Sequence, residues 1–206
     1  MLLTDSGNTF EAAPAGVHPA RLVRILDLGT QESAYQGKTK HSHKLMLTFE
    51  LLGDETMSDG RPFTISRRFT ASLGEKSALR PFLESWRGKK YTPDELRAGL
   101  RLDKMLGAFG LLTLVESERD GKTFSNISSI SNLPKGMPKP EGVNPLQLFD
   151  LAAPAWEVFD ALSEKMQAVI LLSPEGQAAS KARHAKPTAP ERQPGSDDDF
   201  NDEIDF

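Results

Sequence analysis

Three stretches of the chain interleave cationic with aromatic side chains. Their members are, in chain order, Tyr35, Lys38, Lys40 and Lys44, then Arg61, Arg67, Arg68 and Phe69, then Trp86, Arg87, Lys89, Lys90 and Tyr91. Lys122 and Phe124 form a shorter pair, and the sequence leaves open whether Phe124 faces a ligand or the core. Cations contact phosphates and aromatic rings stack on bases, at about 1–3 kcal/mol per base. These stretches therefore indicate contacts with an unpaired nucleic-acid strand.

Each of these stretches also has a purely structural interpretation. Trp86 lies on the apolar phase of a predicted helix, and Phe69 ends a predicted strand, so both are typical of core residues. Tyr35 and Tyr91 lie in polar loops and are the better candidates for stacking on bases. Adjacent cations such as Lys89 and Lys90 are commonly solvated surface residues.

Two segments end like a phosphate-binding loop but lack its beginning. Residues 37–39 and 121–123 both read Gly-Lys-Thr, whereas Glu32 and Glu116 occupy the positions where the first glycine of the loop is required. The second segment also belongs to a predicted hairpin turn rather than to a strand-to-helix loop. No nucleophile–base signature accompanies either segment, so we expect a protein that is not an enzyme.

Metal and thiol chemistry has little support in the sequence. The chain has no cysteine and 4 histidines. His41 and His43 alternate onto one face of a predicted strand and supply at most half of a metal site, to which only His18 and His184 could add imidazole. We expect neither a bound metal nor another cofactor. The absence of cysteine also fits a reducing cytosol.

The last ten residues combine strong negative charge with large apolar side chains. Six are carboxylates and three are apolar, namely Asp197, Asp198, Asp199, Asp202, Glu203 and Asp205 with Phe200, Ile204 and Phe206. Such a segment buries too little apolar area to fold alone, and its charges repel one another. We expect a disordered docking peptide whose apolar residues enter pockets while its carboxylates meet a basic rim. The alternative is a solubilising acidic end.

Charge is segregated along the chain. The formal net charge is -4, yet residues 16–142 carry 20 Lys and Arg against 15 Asp and Glu. A mildly basic body with an acidic end indicates a polyanionic partner, with which the acidic end can compete. The amino-terminal residues lack a signal-peptide pattern, and no apolar run approaches the length of a membrane span. We expect an intracellular protein that does not contact a membrane.

Apolar periodicity predicts a mostly β domain over residues 16–142, preceded by a flexible arm over residues 1–15. The clearest strand alternates Leu45, Leu47, Phe49 and Leu51 inward. Residues 30–39 read as a polar loop, and Asp120-Gly121 predicts a hairpin. The predicted strands cover residues 16–29, 44–51, 61–69, 105–115 and 122–131.

Helices are predicted between the third and fourth strands. Ser72 and Glu75 have the spacing of a capping box, and Gly88 ends the helix that they open. Thr92 and Pro93 start a second, short helix. Five strands with a helix between the third and fourth are typical of the OB-fold, a small barrel that binds oligonucleotides, although other five-stranded barrels share much of the pattern.

The remaining sequence divides into two regions. Residues 143–174 are predicted to hold an extended segment and one amphipathic helix, spanning residues 156–170, which packs either on the domain or on a second copy. Residues 175–206 are predicted to be a disordered linker followed by the acidic tip.

Residues 16–142 resemble a family of phage-encoded single-stranded DNA-binding proteins with an OB-fold. The similar stretches are residues 25–31 (ILDLGTQ), 49–51 (FEL), 72–80 (SLGEKSALR), 84–88 (ESWRG) and 121–127 (GKTFSNI). The acidic end resembles the tails through which bacterial and phage single-stranded DNA-binding proteins dock replication and repair proteins, with Asp205-Phe206 where the bacterial tails commonly have Pro-Phe. The resemblance implies a protein of the bacterial host's cytoplasm that coats single-stranded DNA during phage replication or recombination, with little sequence preference.

Two other functions fit the same sequence. One is a protein-interaction adaptor with incidental nucleic-acid binding, and the other is a strand-annealing recombination protein. Through its acidic end the protein would recruit a polymerase, primase, helicase or recombinase, and it is a possible homo-oligomer.

Overall fold

Antiparallel strand pairing dominates the computed structural model, which describes residues 11–35, 37–137 and 139–185. The strands are β1 (Gly16–Tyr35), β2 (Lys38–Leu51), β3 (Thr64–Thr70), β4 (Phe109–Arg119), β5 (Lys122–Ser131) and β6 (Gln147–Phe149). The first five form a sheet in the order β3-β2-β1-β4-β5, and β6 pairs with β1 in parallel. The α-helices are α1 (Leu79–Arg87), α2 (Pro93–Ala98), α3 (Trp156–Asp160), α4 (Glu164–Leu171) and α5 (Pro174–His184), with a 3-10 helix at Leu102–Met105.

The strongest strand predictions are confirmed. Leu45, Leu47, Phe49 and Leu51 are buried in β2. The β4–β5 hairpin turns at Asp120 and Gly121, whose φ angles of 53° and 69° are those of a tight two-residue turn. β4 starts later than predicted, because Gly107 turns the chain with a φ of 83° before the strand begins.

The predicted polar loop over residues 30–39 is wrong. The chain continues β1 to Tyr35, turns near Gly37 and pairs Tyr35 with Lys38, so β1 and β2 form a long hairpin. Most of its distal residues are exposed. Because this part of the hairpin extends beyond the core, it lacks the apolar alternation by which a strand is recognised in sequence.

The predicted capping box at Ser72 is also wrong, although the helix after it exists. The Ser72 hydroxyl accepts a hydrogen bond from the Gly74 amide at 3.2 Å within a turn, and α1 begins only at Leu79. Pro81 then falls in the first turn of α1, where an amide donor is not needed. The short helix α2 is confirmed, with a capping box between Thr92 and Glu95.

The single amphipathic helix predicted over residues 156–170 is instead two helices. The Gln167 side-chain amide of α4 donates to the carbonyls of Phe159, Asp160 and Leu162 at 3.1, 3.3 and 3.1 Å. It thereby satisfies the carbonyls that end α3, which lets the chain turn between the helices. The flexible linker predicted from Glu175 is wrong for residues 175–184, which belong to α5.

The described part of the predicted amino-terminal arm packs on the sheet. Ala13 is buried, and its carbonyl accepts a hydrogen bond from the Ser125 hydroxyl. The Glu11 carboxylate accepts a hydrogen bond from the Ser58 amide at 2.9 Å. A flexible arm is therefore wrong for residues 11–14, whereas residues 1–10 lie outside the described part of the chain.

Apolar residues are buried on both faces of β1 and β2. One face packs against α1, with Phe49, Leu83 and Trp86 at the centre of the main core. On the other face, the apolar residues of β1 and β2 pack against β6 and the carboxyl-terminal helices. This second core contains Leu26, Leu28, Met46, Phe149, Phe159, Leu162 and Ile170. The helices after β6 therefore pack back on the domain, one of the two arrangements that the sequence left open.

A buried carboxylate holds the segment that crosses from β5 to β6. Glu50 is fully buried and accepts hydrogen bonds from Arg21 at 3.0 Å, from the Val143 amide at 2.9 Å, and from the Asn144 amide and side chain at 2.8 and 2.9 Å. Arg21 also donates to the Asn144 carbonyl at 2.7 Å. A Cβ on Gly142 would lie 1.9 Å from the Arg21 guanidinium carbon, so a side chain there would displace the guanidinium that pairs with Glu50.

The sheet is not closed between its outer strands. Among the described residues, β3 and β5 have no backbone ladder between them. Arg67 of β3 instead donates a hydrogen bond to the Ile127 carbonyl of β5 at 3.0 Å. The fold is therefore mostly β, with an open antiparallel sheet and several helices. None of the described helices has the length and apolar character needed to cross a membrane.

Replacing Glu50 tests whether this carboxylate holds the crossing segment. Glu50→Gln removes the buried charge opposite the half-buried Arg21 and should lower the free energy of unfolding by about 3 kcal/mol. Glu50→Leu also removes the acceptor of the Val143 and Asn144 amides, so it should cost a further 1–3 kcal/mol or so. Urea unfolding measures both, with Glu116→Gln, at an exposed site on β4, as the control. Equal stability of all three variants would contradict the assignment.

Candidate nucleic-acid interface

A cationic groove lies between the β1–β2 hairpin, the end of β3 and the turn that precedes α1. It has a volume of about 660 Å³. Among the described residues, four cations line it, namely Lys40, Lys44, Arg68 and Lys76, and Glu32 is the one carboxylate. We refer to this site as the cationic groove. Its positive lining makes it the part of the described surface best suited to a phosphate backbone.

Strand register brings three of these cations together. Lys40 and Lys44 lie on the same face of β2, because side chains alternate with a period of two. Lys44 pairs with Thr70 of β3, and its ammonium donates to the Thr70 hydroxyl at 2.8 Å. Arg68 lies opposite Met46, on that same face of the sheet. The strand register therefore places Lys40, Lys44 and Arg68 around the same groove.

The four cations have no ion-pair partner within the described part of the chain. Lys40, Arg68 and Lys76 are exposed, and Lys44 is half-buried. The hydroxyls of Ser33, Thr70, Ser72 and Ser77 also belong to residues that line the groove. Unpaired ammonium and guanidinium groups beside hydroxyls provide donors for phosphate oxygens.

Several predicted cations are instead neutralised by local carboxylates. Arg61 pairs with Asp59 at 2.6 Å in the turn between β2 and β3, at the opposite end of these strands from the groove. Arg87 pairs with Glu95 and lies over the Tyr91 ring at 4.7 Å. The Arg87 hydrogen bond lowers the pKa of Glu95 to about 2, and the same bond raises the pKa of Arg87. The charges of these arginines are therefore used in ion pairs within the protein.

The other predicted cations lie outside the groove. Arg67 faces the core side of β3, with its guanidinium 5.0 Å from the centre of the Phe69 ring. Lys38 is exposed near the tip of the hairpin, and Lys89 and Lys90 are exposed in the turn after α1. None of these residues lines the cationic groove. The predicted cations thus do not form one continuous site.

The predicted stacking aromatics are mostly not available to a ligand. Phe69 and Trp86 are 3% and 4% exposed, and the Trp86 indole donates to the Phe109 carbonyl at 2.8 Å. Both therefore belong to the core, as their structural interpretation suggested. Tyr91 is half-buried beneath Arg87, and this burial raises the pKa of its hydroxyl. Phe124 is half-buried in the β4–β5 hairpin opposite Ser117.

Three predictions lie outside what the structure describes. They concern the side chains of Tyr35 and Lys122, and the acidic segment, whose residues 197–206 fall in the undescribed carboxyl-terminal part of the chain. In contrast, sequence reasoning missed Lys76. A cation in the turn between a strand end and a helix start was the available signal, but the incorrect capping box placed that residue inside the helix.

No protein-family model matches the chain, and no curated protein matches it significantly. Arguments about function therefore rest on the geometry described above and on the sequence.

Trp86→Phe tests whether this aromatic packs in the core or stacks on bases. The variant leaves the Phe109 carbonyl without its donor in a buried site, so the free energy of unfolding should fall by about 1–3 kcal/mol. Affinity for a labelled oligo-dT should stay at the wild-type value, because the ring presents no open face. A loss of oligo-dT affinity with unchanged stability would assign Trp86 to the ligand instead.

Proposed function

We propose that the protein binds single-stranded DNA along its phosphate backbone, with little sequence preference, during phage replication or recombination. The observation that carries the proposal is the cationic groove, where Lys40, Lys44, Arg68 and Lys76 meet without ion-pair partners among the described residues. Phosphate contacts supply most of the affinity of proteins that bind nucleic acid without reading bases.

The shape of the groove favours one flexible strand over a duplex. The β1–β2 hairpin forms one wall, and the turn carrying Ser72 and Lys76 contributes another. A single backbone can bend to follow such a groove, whereas a duplex presents a rigid, wider surface. Because none of the described residues that line the groove offers an exposed aromatic ring, bases would contribute little there, which supports weak sequence preference.

The strand order supports the proposal that the domain is an OB-fold. β1 pairs with both β2 and β4, β2 pairs with β3, and β4 pairs with β5, with α1 between β3 and β4. In a closed OB-fold barrel, β3 and β5 would also meet. Arg67 of β3 donates to the Ile127 carbonyl of β5, so these two strands contact each other at the edge where the barrel would close. The cationic groove would then lie beside the β1–β2 loop, one of the regions with which OB-folds contact oligonucleotides.

Reversing charge in the groove tests the proposed DNA contacts. Lys44→Glu and Arg68→Glu should each weaken binding to labelled oligo-dT by about tenfold or more, because each replaces a phosphate contact with repulsion. Each lost contact should also flatten the plot of log affinity against log salt by about 0.7. Fluorescence anisotropy at two or more salt concentrations measures both effects.

Lys165→Glu provides the matched control, since Lys165 is an exposed lysine on α4 outside the groove. It changes net charge by the same amount and should alter affinity only slightly. If it weakened binding as much as Lys44→Glu does, net charge rather than the groove would hold the DNA. A duplex of the same length bound as tightly as oligo-dT would overturn the preference for single strands.

We further propose that the acidic segment recruits replication or recombination proteins and competes with DNA for the cationic groove. The 21 residues after Ala185 can span up to about 70 Å when extended, enough to reach most of the surface of a domain this size. Their six carboxylates complement the groove, while Phe200, Ile204 and Phe206 offer apolar contacts to a partner.

Separating the charge of this segment from its apolar residues tests both roles. Deleting residues 196–206 should raise affinity for oligo-dT and abolish partner recruitment. A variant with all six carboxylates changed to amides should reproduce the gain in affinity, since competition is electrostatic. A variant with Phe200, Ile204 and Phe206 changed to Ser should keep wild-type DNA affinity yet lose the partner. Unchanged DNA affinity and recruitment after deletion would contradict both roles.

A further inference from the structure

Two clefts join into one apolar groove where β2, β6 and the segment after α2 meet. Their volumes are about 400 and 350 Å³, and both are lined by Leu45, Ala71, Leu100 and Leu102. Leu148 of β6 extends the lining at one end. At the other end, Leu73 and Leu79 continue it towards the start of α1. We refer to the joined clefts as the apolar groove.

The apolar side chains of this groove are only partly covered by the rest of the protein. Leu100 and Leu102 pack against the main core but remain half-buried, as do Leu73 and Leu148. The groove therefore offers several adjacent apolar side chains to a ligand along an elongated path. Burial of such side chains by a partner is favourable, at about 25 cal/mol for each Å² of apolar surface removed from water.

Charge at one end of the groove is predominantly negative. Asp27, Asp103 and Asp150 line the 400 Å³ cleft together with the Arg101 guanidinium and the His43 imidazole, which lies 2.6 Å from a carboxylate oxygen of Asp27. Arg101 is already engaged by Asp103, with nitrogen–oxygen distances of 2.9 and 2.7 Å. Asp150 is exposed and has no ion-pair partner among the described residues. This end of the groove therefore suits a positively charged neighbour.

We propose that the apolar groove docks a segment of a partner protein in which leucine-like side chains are flanked by Lys or Arg. The apolar side chains would cover Leu100 and Leu102, while the cations would lie near Asp150. Charge complementarity selects this occupant. The carboxylates would repel both a nucleic acid and the acidic segment of this chain, which the cationic groove suits instead.

The two grooves are neighbours, because Ser72 lines both of them. A partner in the apolar groove would therefore lie beside DNA in the cationic groove without needing the groove cations. This second partner site goes beyond the proposed DNA binding and does not depend on it.

Short labelled peptides with defined charge test the proposal on the full-length protein. The probe is an amphipathic Leu/Lys peptide, compared with a Leu/Glu peptide of the same leucine pattern and with a peptide of residues 195–206. Fluorescence anisotropy should show binding of the Leu/Lys peptide alone. Leu100→Ser and Asp150→Lys should each weaken that binding by about tenfold, since one removes an apolar contact and the other reverses a rim charge.

Matched controls distinguish peptide binding in the apolar groove from nonspecific apolar or electrostatic binding elsewhere on the protein. Leu172→Ser removes an equally apolar side chain that is 73% exposed outside the groove, and Glu116→Lys reverses an exposed charge on β4. Both should leave peptide affinity near the wild-type value. Leu100→Ser could lower the unfolding temperature too far to be used. In that case Asp150→Asn and Asp150→Lys test the site, and Asp150→Lys should cause the larger loss of peptide affinity.

Three results would overturn the proposal. Equal binding of the Leu/Lys and Leu/Glu peptides would show that the carboxylates of the groove do not select a positively charged partner. Binding of the peptide of residues 195–206 that is sensitive to Leu100→Ser would make the acidic segment the occupant. If the control variants weakened binding as much as the groove variants do, the peptide would not be binding in the apolar groove. Affinity for oligo-dT, measured on the same variants, should be unaffected by Leu100→Ser, so failure here is distinguishable from failure of the DNA-binding proposal.

Discussion

The buried carboxylate of Glu50 determines how the second half of the chain meets the sheet. A charge without water is costly unless it is paired and fully hydrogen-bonded, and Glu50 meets both conditions through Arg21 and the backbone of the crossing segment. Displacing that segment would leave amides and charges unsatisfied. The segment therefore has one favourable path, which brings β6 beside β1 in the register that pairs Ile25 with Leu148.

The position of β6 in turn decides which surface remains open. Phe149 of β6 begins the second core, and α3 and α4 extend it over Leu26 and Met46. This apolar cover ends at β3, because Met46 is buried whereas Arg68, its partner across the strands, is exposed. The outer face thus changes from apolar and covered to cationic and open within one pair of residues. The groove cations remain accessible because the carboxyl-terminal helices stop at this boundary.

Sequence patterns predicted the elements whose signals are local. Alternation in β2 and the Asp120-Gly121 turn depend on neighbours in the chain, and both were correctly predicted. The helix break before α4 depends on the Gln167 side chain donating to two carbonyls of α3 and to that of Leu162 between the helices, which no periodicity encodes. The groove was predicted in part, because adjacent cations reveal charge but not which carboxylates they will meet. Arg61 and Arg87 look like Arg68 in sequence, yet folding places Asp59 and Glu95 against them.

The proposed DNA binding would rely on charge more than on stacking, which has consequences for how the protein would exchange on a strand. Affinity from counterion release is sensitive to salt and indifferent to bases, so the protein could shift along a strand without breaking specific contacts. An acidic segment that competes for the same cations would lower the affinity for DNA further and speed the dissociation of DNA. Bases stacked on aromatic rings would instead slow that dissociation. A partner in the adjacent apolar groove would not oppose this exchange, because its contacts do not use the groove cations. Weak, purely electrostatic contacts are thus compatible with a protein that must cover a strand and then yield it to other proteins.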